Sequence, residues 1–481
     1  MNIVLVIVDT LRYDHVGADG NDWIQTPNLD GLAAASWVFD RCYAASFPTI
    51  PHRTDVMTGR SGGPFHAWRP LPFDIPTLPR ALAERGYCTQ LIHDTPHLVN
   101  GGHNFDWPFH AWTPVRGAEV DRPWIDDRPR LPEHWRPDPL FDFVEADPAQ
   151  HRTLITYARA NRKRQRDEDW NAAKLFLTAA KFLRDNRSRD HFFLWVDCFD
   201  PHEPWDVPPE YATLYDRTPG YDGRVDPRAF FVRDVRGVEP AAVDRIRGLY
   251  AAKVSWVDRW LGVFLAALEE TGLAANTAIV LTADHGTRIG EYDHVGKRAP
   301  VREQEAHVPL FVRVPGAGSG RCGAIVQPQD LFATVTAIAG AEAPAELDSH
   351  DVLAVARGEA EPRRRLALSG PAASNWHPLR GEALFTAFDG EWQLEAGATP
   401  GSSRLTRLGT LDDVADEHPD VVERLHVAAL DEIERRGLDP ALARWLRAGG
   451  EGEVPSDARC HDFWPSPPGY RPYFQRLYLG A

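Results

Sequence analysis

The chain predicts an α/β fold: a large, mostly parallel sheet sandwiched by helices, with a small α+β subdomain toward the C-terminus. Three observations carry that prediction. Short apolar runs at 3–8, 192–196 and 277–281 read as strands buried on both faces, the pattern of a parallel sheet covered by helices. Stretches with helical spacing separate them, and strands alternating with helices build such a sheet. Two of the runs end directly in ionisable residues, Asp9 and Asp284-His285, and parallel sheets gather ligands at the carboxyl ends of their strands.

The elements follow in order. The first strand ends at Asp9, and Pro27 in Thr26-Pro27-Asn28-Leu29-Asp30 breaks the chain before a helix that begins at Leu29. A strand over 37–43 precedes the loop Thr49-Ile50-Pro51-His52-Arg53, and 54–58 reads as the start of a helix that stops before Gly59. An amphipathic helix over 77–85 closes at Gly86, a residue suited to a left-handed cap, and 87–92 is a strand. Residues 95–150, dense in Pro, Trp, Asp and His, read as a long irregular insertion of the kind that is commonly functional. Helical periodicity returns over 151–186. The strand at 192–196 leads to Asp200-Pro201-His202-Glu203-Pro204-Trp205, a long helix covers 243–270, and a strand over 308–314 follows the one ending at Asp284. Past residue 365 come short strands at 366–368, 383–388 and 392–395, with Gly390 in a hairpin turn, then a helix over 421–436. The reading divides the chain into a catalytic domain, 1–365, and a C-terminal subdomain, 366–481.

Bulk properties exclude some classes of function. The 481 residues are 43% apolar and 25% charged, ordinary for a globular protein. A net charge of −16 argues against nucleic acid or an anionic membrane as the main partner. Five cysteines at 42, 88, 198, 322 and 460 form no close pair or zinc-like spacing, so they read as reduced thiols and the expected location is cytoplasmic. The N-terminus runs straight into a strand without the features of a signal peptide, and no apolar run approaches the roughly 20 residues that span a bilayer. The expected partner is a small-molecule ester. An aromatic, Pro-rich tail from about 450, with Phe463, Trp464, Tyr470, Tyr473 and Phe474, packs on its own chain or on a neighbour, which makes a homo-oligomer possible.

The chemistry concentrates in a few residues. Two carboxylates and an imidazole arriving at one sheet edge from distant sequence, Asp9, Asp284 and His285, can bind a divalent metal. Arg53 lies four residues after Thr49 and shares its helical face, where a cation lowers the pKa of a hydroxyl nucleophile. Thr49-Ile50-Pro51-His52-Arg53, followed by Thr58-Gly59-Arg60, resembles the active-site signature of the sulfatases, in which Cys or Ser stands where this chain has Thr49. The resemblance extends through Asp9-Thr10-Leu11-Arg12, Thr26-Pro27-Asn28-Leu29-Asp30, the segment 200–205, Ala283-Asp284-His285-Gly286, Gly296-Lys297 and Val308-Pro309-Leu310 with Pro315-Gly316. Each piece is weak alone; their order and spacing over 1–320 make the similarity specific to the sulfatase family of the alkaline phosphatase superfamily. It implies an alkaline phosphatase-like fold. It further implies Asp9, Thr49, Asp284 and His285 as metal ligands, and Thr49, Arg53, His202 and Lys297 as catalytic residues, with His202 protonating the leaving oxygen and Lys297 holding the anion.

The departures from the family carry as much information. Its Cys or Ser is oxidised to formylglycine, whose hydrate attacks sulfur and then expels sulfate by collapsing to the aldehyde. Threonine has no such exit, whereas a phosphothreonine is open to in-line attack by water. Thr10 replaces the second Asp common in the family, and His285 follows Asp284 where many members have Asn. Fewer oxygens and an added nitrogen move the expected single ion from Ca²⁺ toward Mn²⁺ or Zn²⁺. The family's Gly-Lys-Trp-His is absent: after Gly86-Tyr87-Cys88-Thr89 the lysine position is Asp94, with His93, Thr95 and His97 as weak substitutes. Loss of that cation suits a diester with one negative charge. Trp107, Trp112, Trp124 and Trp135 either wall the pocket or anchor the insertion. The leading expectation is a metal-dependent hydrolase of phosphate esters, a phosphodiester or phosphonate monoester preferred, with a threonine nucleophile. The alternatives are a sulfatase working without formylglycine and a catalytically inactive binding protein.

Overall fold

The computed structural model describes residues 1–62, 68–100, 102–125, 131–145, 148–344, 347–370, 385–397, 400–436 and 440–448. Its centre is one eight-stranded sheet built from β1 (Asn2–Val8), β2 (Trp37–Cys42), β3 (Cys88–His93), β4 (Ala111–Pro114), β5 (Phe192–Cys198), β6 (Thr277–Ala283), β9 (Leu310–Arg313) and β10 (Gly320–Val326). A separate two-stranded ribbon joins β7 (Arg288–Ile289) to β8 (Val295–Gly296). The sheet order is β10-β2-β9-β6-β1-β5-β3-β4. It is a mixed sheet, because β9 runs antiparallel to both β2 and β6 while the other pairings are parallel. The three central strands β1, β5 and β6 are buried along their whole length, which explains why their sequences are almost unbroken apolar runs.

Twelve α-helices lie among the described residues: α1 (Pro27–Ala34), α2 (Thr49–Thr58), α3 (Leu78–Glu84), α4 (Pro148–Asn161), α5 (Asn171–Asp185), α6 (Pro209–Ala212), α7 (Pro240–Glu270), α8 (Glu303–Ala306), α9 (Asp330–Ala339), α10 (Val352–Ala356), α11 (Pro419–Arg435) and α12 (Pro440–Arg447). None is long and apolar enough to cross a membrane. Two differ from expectation in a way that matters for the site. α2 begins at Thr49 itself, so the signature is the first turn and a half of a helix and not the loop before one. α4 begins inside the region expected to be irregular and brings Thr153, Leu154 and Tyr157 to a cavity described below. The insertion also contributes β4, an exposed edge strand held by its pairing with β3. Backbone pairing at a sheet edge needs no apolar alternation, so this strand has no sequence signal.

Beyond the main sheet, β11 (Ala367–Ser369), β12 (Phe385–Phe388), β13 (Trp392–Ala396) and β14 (Arg404–Arg407) form an antiparallel sheet in that order. It packs its own apolar cluster, including Leu368, Phe385, Leu394 and Leu405, against Val422, Leu425 and Ile433 of α11. Positions 383–384 of the expected strand and the aromatic tail from 451 lie outside the described residues. The subdomain touches the main body through Phe388, stacked on Tyr43 with 4.7 Å between ring centroids, and through the Arg302–Glu395 ion pair.

Candidate metal and anion site

Strand order builds the site. β1 and β6 pair in parallel with Val8 opposite Ala283, so Asp9 and Asp284 leave the sheet side by side. β5 flanks β1 on its other edge with Asp197 opposite Ile7, one level lower. All three carboxylates and His285 are fully buried. One oxygen from each of Asp9 and Asp284 and a ring nitrogen of His285 lie within 4.8 Å of one another, and no other group of three such side chains does so among the described residues. Thr10 fixes the carboxylates: its N–H donates to Asp284 Oδ1 at 2.9 Å and its hydroxyl to Asp9 Oδ1 at 2.7 Å. To do both it adopts a φ of 64°, a left-handed conformation costly for a β-branched residue and one that concentrates at functional sites.

The donor atoms fit a divalent cation. His285 Nδ1 lies 2.9 Å from the Gly286 carbonyl, so the neutral ring carries its proton there and leaves Nε2 bare. That Nε2 is buried with no hydrogen-bond partner, as is Asp9 Oδ2. Burial, the largest cause, outweighs the Asp284 carboxylate and lowers the His285 pKa to about 4, keeping the imidazole in the form that ligates metals. Burial and then the charge of Asp284 push Asp9 well above the usual carboxylate range. A His whose second nitrogen donates to a backbone carbonyl is the usual oriented metal ligand. Thr49, the fourth candidate ligand, is the first residue of α2 and is 3% exposed. Chelating the protein is expected to lower its melting temperature, and saturating Mn²⁺ or Zn²⁺ to raise it by an amount that grows with concentration. Asp9→Asn and His285→Ala should lose that metal-dependent shift, which differential scanning fluorimetry would read.

Arg53 sits beneath this cluster, fully buried. Its Nη2 and Nε donate to Asp197 Oδ1 and Oδ2 at 2.9 and 3.1 Å, Nη2 approaches Asp9 Oδ2 at 3.1 Å, and Nη1 donates to Asp284 Oδ2. Its bond to Thr49, at 3.4 Å, goes to the carbonyl oxygen. The guanidinium therefore ties the first turn of α2 to the carboxylates of three strands. Asp197 escaped the sequence reading; its one signal is a carboxylate within the apolar run of β5. His52 also escaped it. This imidazole is fully buried beside Asp284, with neither ring nitrogen hydrogen-bonded, and burial lowers its pKa to about 3.

The opposite wall carries the anion-facing candidates. Lys297 follows Gly296, whose φ of 95° only glycine adopts easily. Its Nζ lies 2.5 Å from Glu203 Oε2 and 3.4 Å from Thr10 Oγ1, which links it to the carboxylate cluster. His202 stacks on Phe199 with 4.2 Å between centroids. Its Nδ1 is 2.7 Å from the Glu203 carbonyl and 3.3 Å from Glu203 Oε2, two acceptors that place the proton of the neutral ring on Nδ1. Burial and then the Lys297 charge lower its pKa to about 4. His202, Glu203 and Lys297 line a cavity of about 260 Å³ together with Glu119, Thr153, Leu154, Tyr157, Pro204, Phe230, Phe231 and Arg233.

The weaker candidates have other partners. Asp94 accepts the Phe199 N–H at 2.6 Å, Thr95 donates to Asp197, His93 meets the Thr95 carbonyl at 3.0 Å and His97 pairs with Glu119 at 2.9 Å. His307 stacks on Tyr13 and meets the Asp40 carbonyl. Asp200 pairs with Lys253 at 2.7 Å. The four tryptophans of the insertion line none of this cavity: Trp135 is buried on Tyr157, Trp107 lies under Arg80, Trp124 sits near Arg162 and Lys163, and Trp112 lies on the edge strand. Trp112 and Trp124 are largely exposed, at 43% and 51%, and the insertion's contribution to the cavity is Glu119.

The chain is similar to known proteins. The family model described as Sulfatase matches residues 1–341. The chain is 27% identical over 348 residues to human iduronate 2-sulfatase, covering 66% of this chain and 60% of that protein. It is also 27% identical over 345 residues to an arylsulfatase of Clostridium perfringens, covering 66% of this chain and 69% of that one. Among solved structures, the phosphonate monoester hydrolase of Silicibacter pomeroyi superposes with a TM-score of 0.68 at 24% identity over 90% of this chain and 95% of that one. The phosphonate monoester hydrolase of Agrobacterium radiobacter superposes at 0.67 and 20% identity, over 90% and 96%. These superpositions establish the shared fold.

Proposed function

The chain belongs to the sulfatase family, and from that premise we propose that it is a metal-dependent ester hydrolase that acts on phosphorus esters, a phosphodiester or phosphonate monoester, through Thr49. The observation that carries the reading is the threonine at the head of the signature helix. Its hydroxyl can form and lose a phosphoryl ester but cannot expel sulfate as a formylglycine hydrate does. The fold shared with two phosphonate monoester hydrolases supports the same direction. The names of the sulfatase relatives favour the second reading, a sulfate ester hydrolase that works without formylglycine.

In the proposed reaction the Thr49 oxygen bonds to phosphorus as the bond to the leaving oxygen breaks. The hydroxyl proton is lost and one proton goes to the leaving oxygen, so the transfer is proton-neutral. Water then attacks phosphorus, breaks the bond to Thr49 and restores the hydroxyl. A divalent ion held by Asp9, Asp284, His285 and Thr49 supplies Lewis-acid stabilisation of the charge on oxygen, and the mixed oxygen and nitrogen donors favour Mn²⁺ or Zn²⁺ over Ca²⁺. Arg53 holds the first turn of α2 against the carboxylates and orients Thr49. Lys297 meets the anion. The cavity beside His202 receives the leaving group.

His202 is neutral at pH 7 with Nε2 unprotonated, so it must take up a proton before it can donate one. An approaching anion raises its pKa and favours that uptake. His202→Ala is expected to lower kcat/KM by about 10²- to 10⁴-fold for esters with poor alkoxide leaving groups. A p-nitrophenyl ester, which needs no acid, should lose far less. With the wild type, kcat/KM for the alkoxide ester should fall as pH rises above about 4, the lowered pKa of free His202, since the protonated form becomes scarcer from there upward. Equal losses for both leaving groups would remove the acid role.

The function itself is tested with metal-loaded protein on four aryl substrates: a phosphate monoester, a phosphate diester, a phosphonate monoester and a sulfate ester. Turnover of the diester or phosphonate above the sulfate is expected. Dominant sulfate turnover would overturn the phosphorus reading in favour of the second.

A further inference from the structure

The cations that face the proposed reacting centre are already matched by carboxylates. Arg53 lies among Asp9, Asp197 and Asp284. Lys297 is paired with Glu203, both side chains being mostly buried, at 16% and 12% exposure. Asp94 occupies the position where the family carries a lysine. The remaining charges on the cavity wall are Glu119 and Arg233, which offset one another, and His202 is neutral. One divalent ion brings the cluster of Arg53, Lys297, Asp9, Asp197, Asp284 and Glu203 to neutrality. A site of net zero charge has no positive charge in surplus, so a second anionic oxygen on the reacting group adds repulsion that nothing offsets and is disfavoured relative to one.

Resting on the phosphorus-ester reading, we propose that Glu203 sets the charge class of the substrate: by neutralising Lys297 it fits the site to a reacting group with a single negative charge and against one with two. The substrates this admits are phosphate diesters, phosphonate monoesters and, by the same charge, sulfate monoesters; the class it excludes is the dianionic phosphate monoester. Glu203 is the residue suited to this role because its carboxylate also reaches His202 Nδ1 at 3.3 Å, so the same oxygen touches both groups expected to meet the substrate. In a partly buried pocket one unit of charge at about 6 Å changes binding by roughly 10- to 100-fold.

The test compares Mn²⁺-loaded wild type, Glu203→Gln and Glu203→Asp at pH 8. An aryl phosphate (dianion) and a methyl aryl phosphate (monoanion) are the substrates. Glu203→Gln should raise the ratio of kcat/KM for the dianion over the monoanion by about 10- to 100-fold, and Glu203→Asp should leave that ratio near the wild-type value. A parallel fall for both substrates, with the ratio unchanged, would mean that Glu203 only holds Lys297 and His202 in place and would overturn the proposal. Calorimetric binding of inorganic phosphate against dimethyl phosphate separates this result from the functional reading, because it needs no turnover. The wild type should bind the phosphate dianion no more tightly than the diester monoanion, and Glu203→Gln should gain affinity for phosphate alone. If neither ester is hydrolysed but that gain appears, the phosphorus-ester reading fails and the charge selection stands. Stronger binding of phosphate by the wild type overturns it even where the Glu203→Gln protein does not fold.

Discussion

Thr49→Ala is expected to lower turnover by about 10⁴- to 10⁶-fold, the scale on which a covalent nucleophile is lost, while the protein stays folded. Thr49 opens α2 and is 3% exposed, and among the described residues its hydroxyl makes no hydrogen bond that the fold would miss. Removing one methyl and one hydroxyl from a helix start is a small structural change. Thr49→Ser keeps the hydroxyl and should retain part of the activity. Acid-quenched wild type incubated with a phosphorus-labelled diester should carry the label on the peptide containing residue 49, and Thr49→Ala should carry none. Undiminished turnover by Thr49→Ala would remove the threonine from the reaction. Loss of sulfate turnover in the same variant, with no activity toward phosphorus esters, would transfer the role to sulfate chemistry.

The second large effect is on stability. Arg53→Met removes the one guanidinium shared by Asp9, Asp197 and Asp284 and leaves three buried carboxylates facing one another. Breaking a buried pair by deleting one partner costs about 3–5 kcal/mol, so the metal-free variant should melt several degrees below wild type or accumulate unfolded. The three carboxylates also hold Arg53 well above its ordinary pKa despite burial, so its charge is present at every working pH. A divalent ion restores part of the missing positive charge, and the deficit should shrink as Mn²⁺ is added. Thermal melts with and without metal read this directly. An Arg53→Met protein as stable as wild type without metal would show that the carboxylates are relieved in some other way, by protonation of Asp9 first of all, whose pKa is already raised.

How legible the site was depends on whether its residues are marked by local chemistry or by topology. Asp9, Asp284 and His285 stand out because each ends an apolar run, where a charge is costly unless used. Thr49 and Arg53 stand out by their spacing in a signature. Asp197 carries the same mark as the first three, directly after the apolar run 192–196, but it lies within β5 and not past its end and belongs to no motif. Its meaning comes from β5 lying next to β1, with Ile7 opposite it. Glu119, Tyr157, Phe230, Phe231 and Arg233 were silent. They reach the cavity from the insertion, from α4 and from a short turn near 230, and none has a periodicity that distinguishes a pocket wall from ordinary packing.

The amino-acid sequence by itself determined the central strands and several of the larger helices, the alternation that requires a sheet covered on both faces, and the residue types available for metal and anion chemistry. These are local properties: hydrophobic period, breakers and short motifs act within a few residues of the chain. The tertiary structure alone decided that β9 is antiparallel, that residues 9, 197 and 284 converge around Arg53, and that Lys297 pairs with Glu203 on the cavity wall. Each of those depends on strand order and on contacts between residues about 90 to 275 apart in the chain, and side-chain pairing across such distances is set by packing the whole sheet and not by any segment of it.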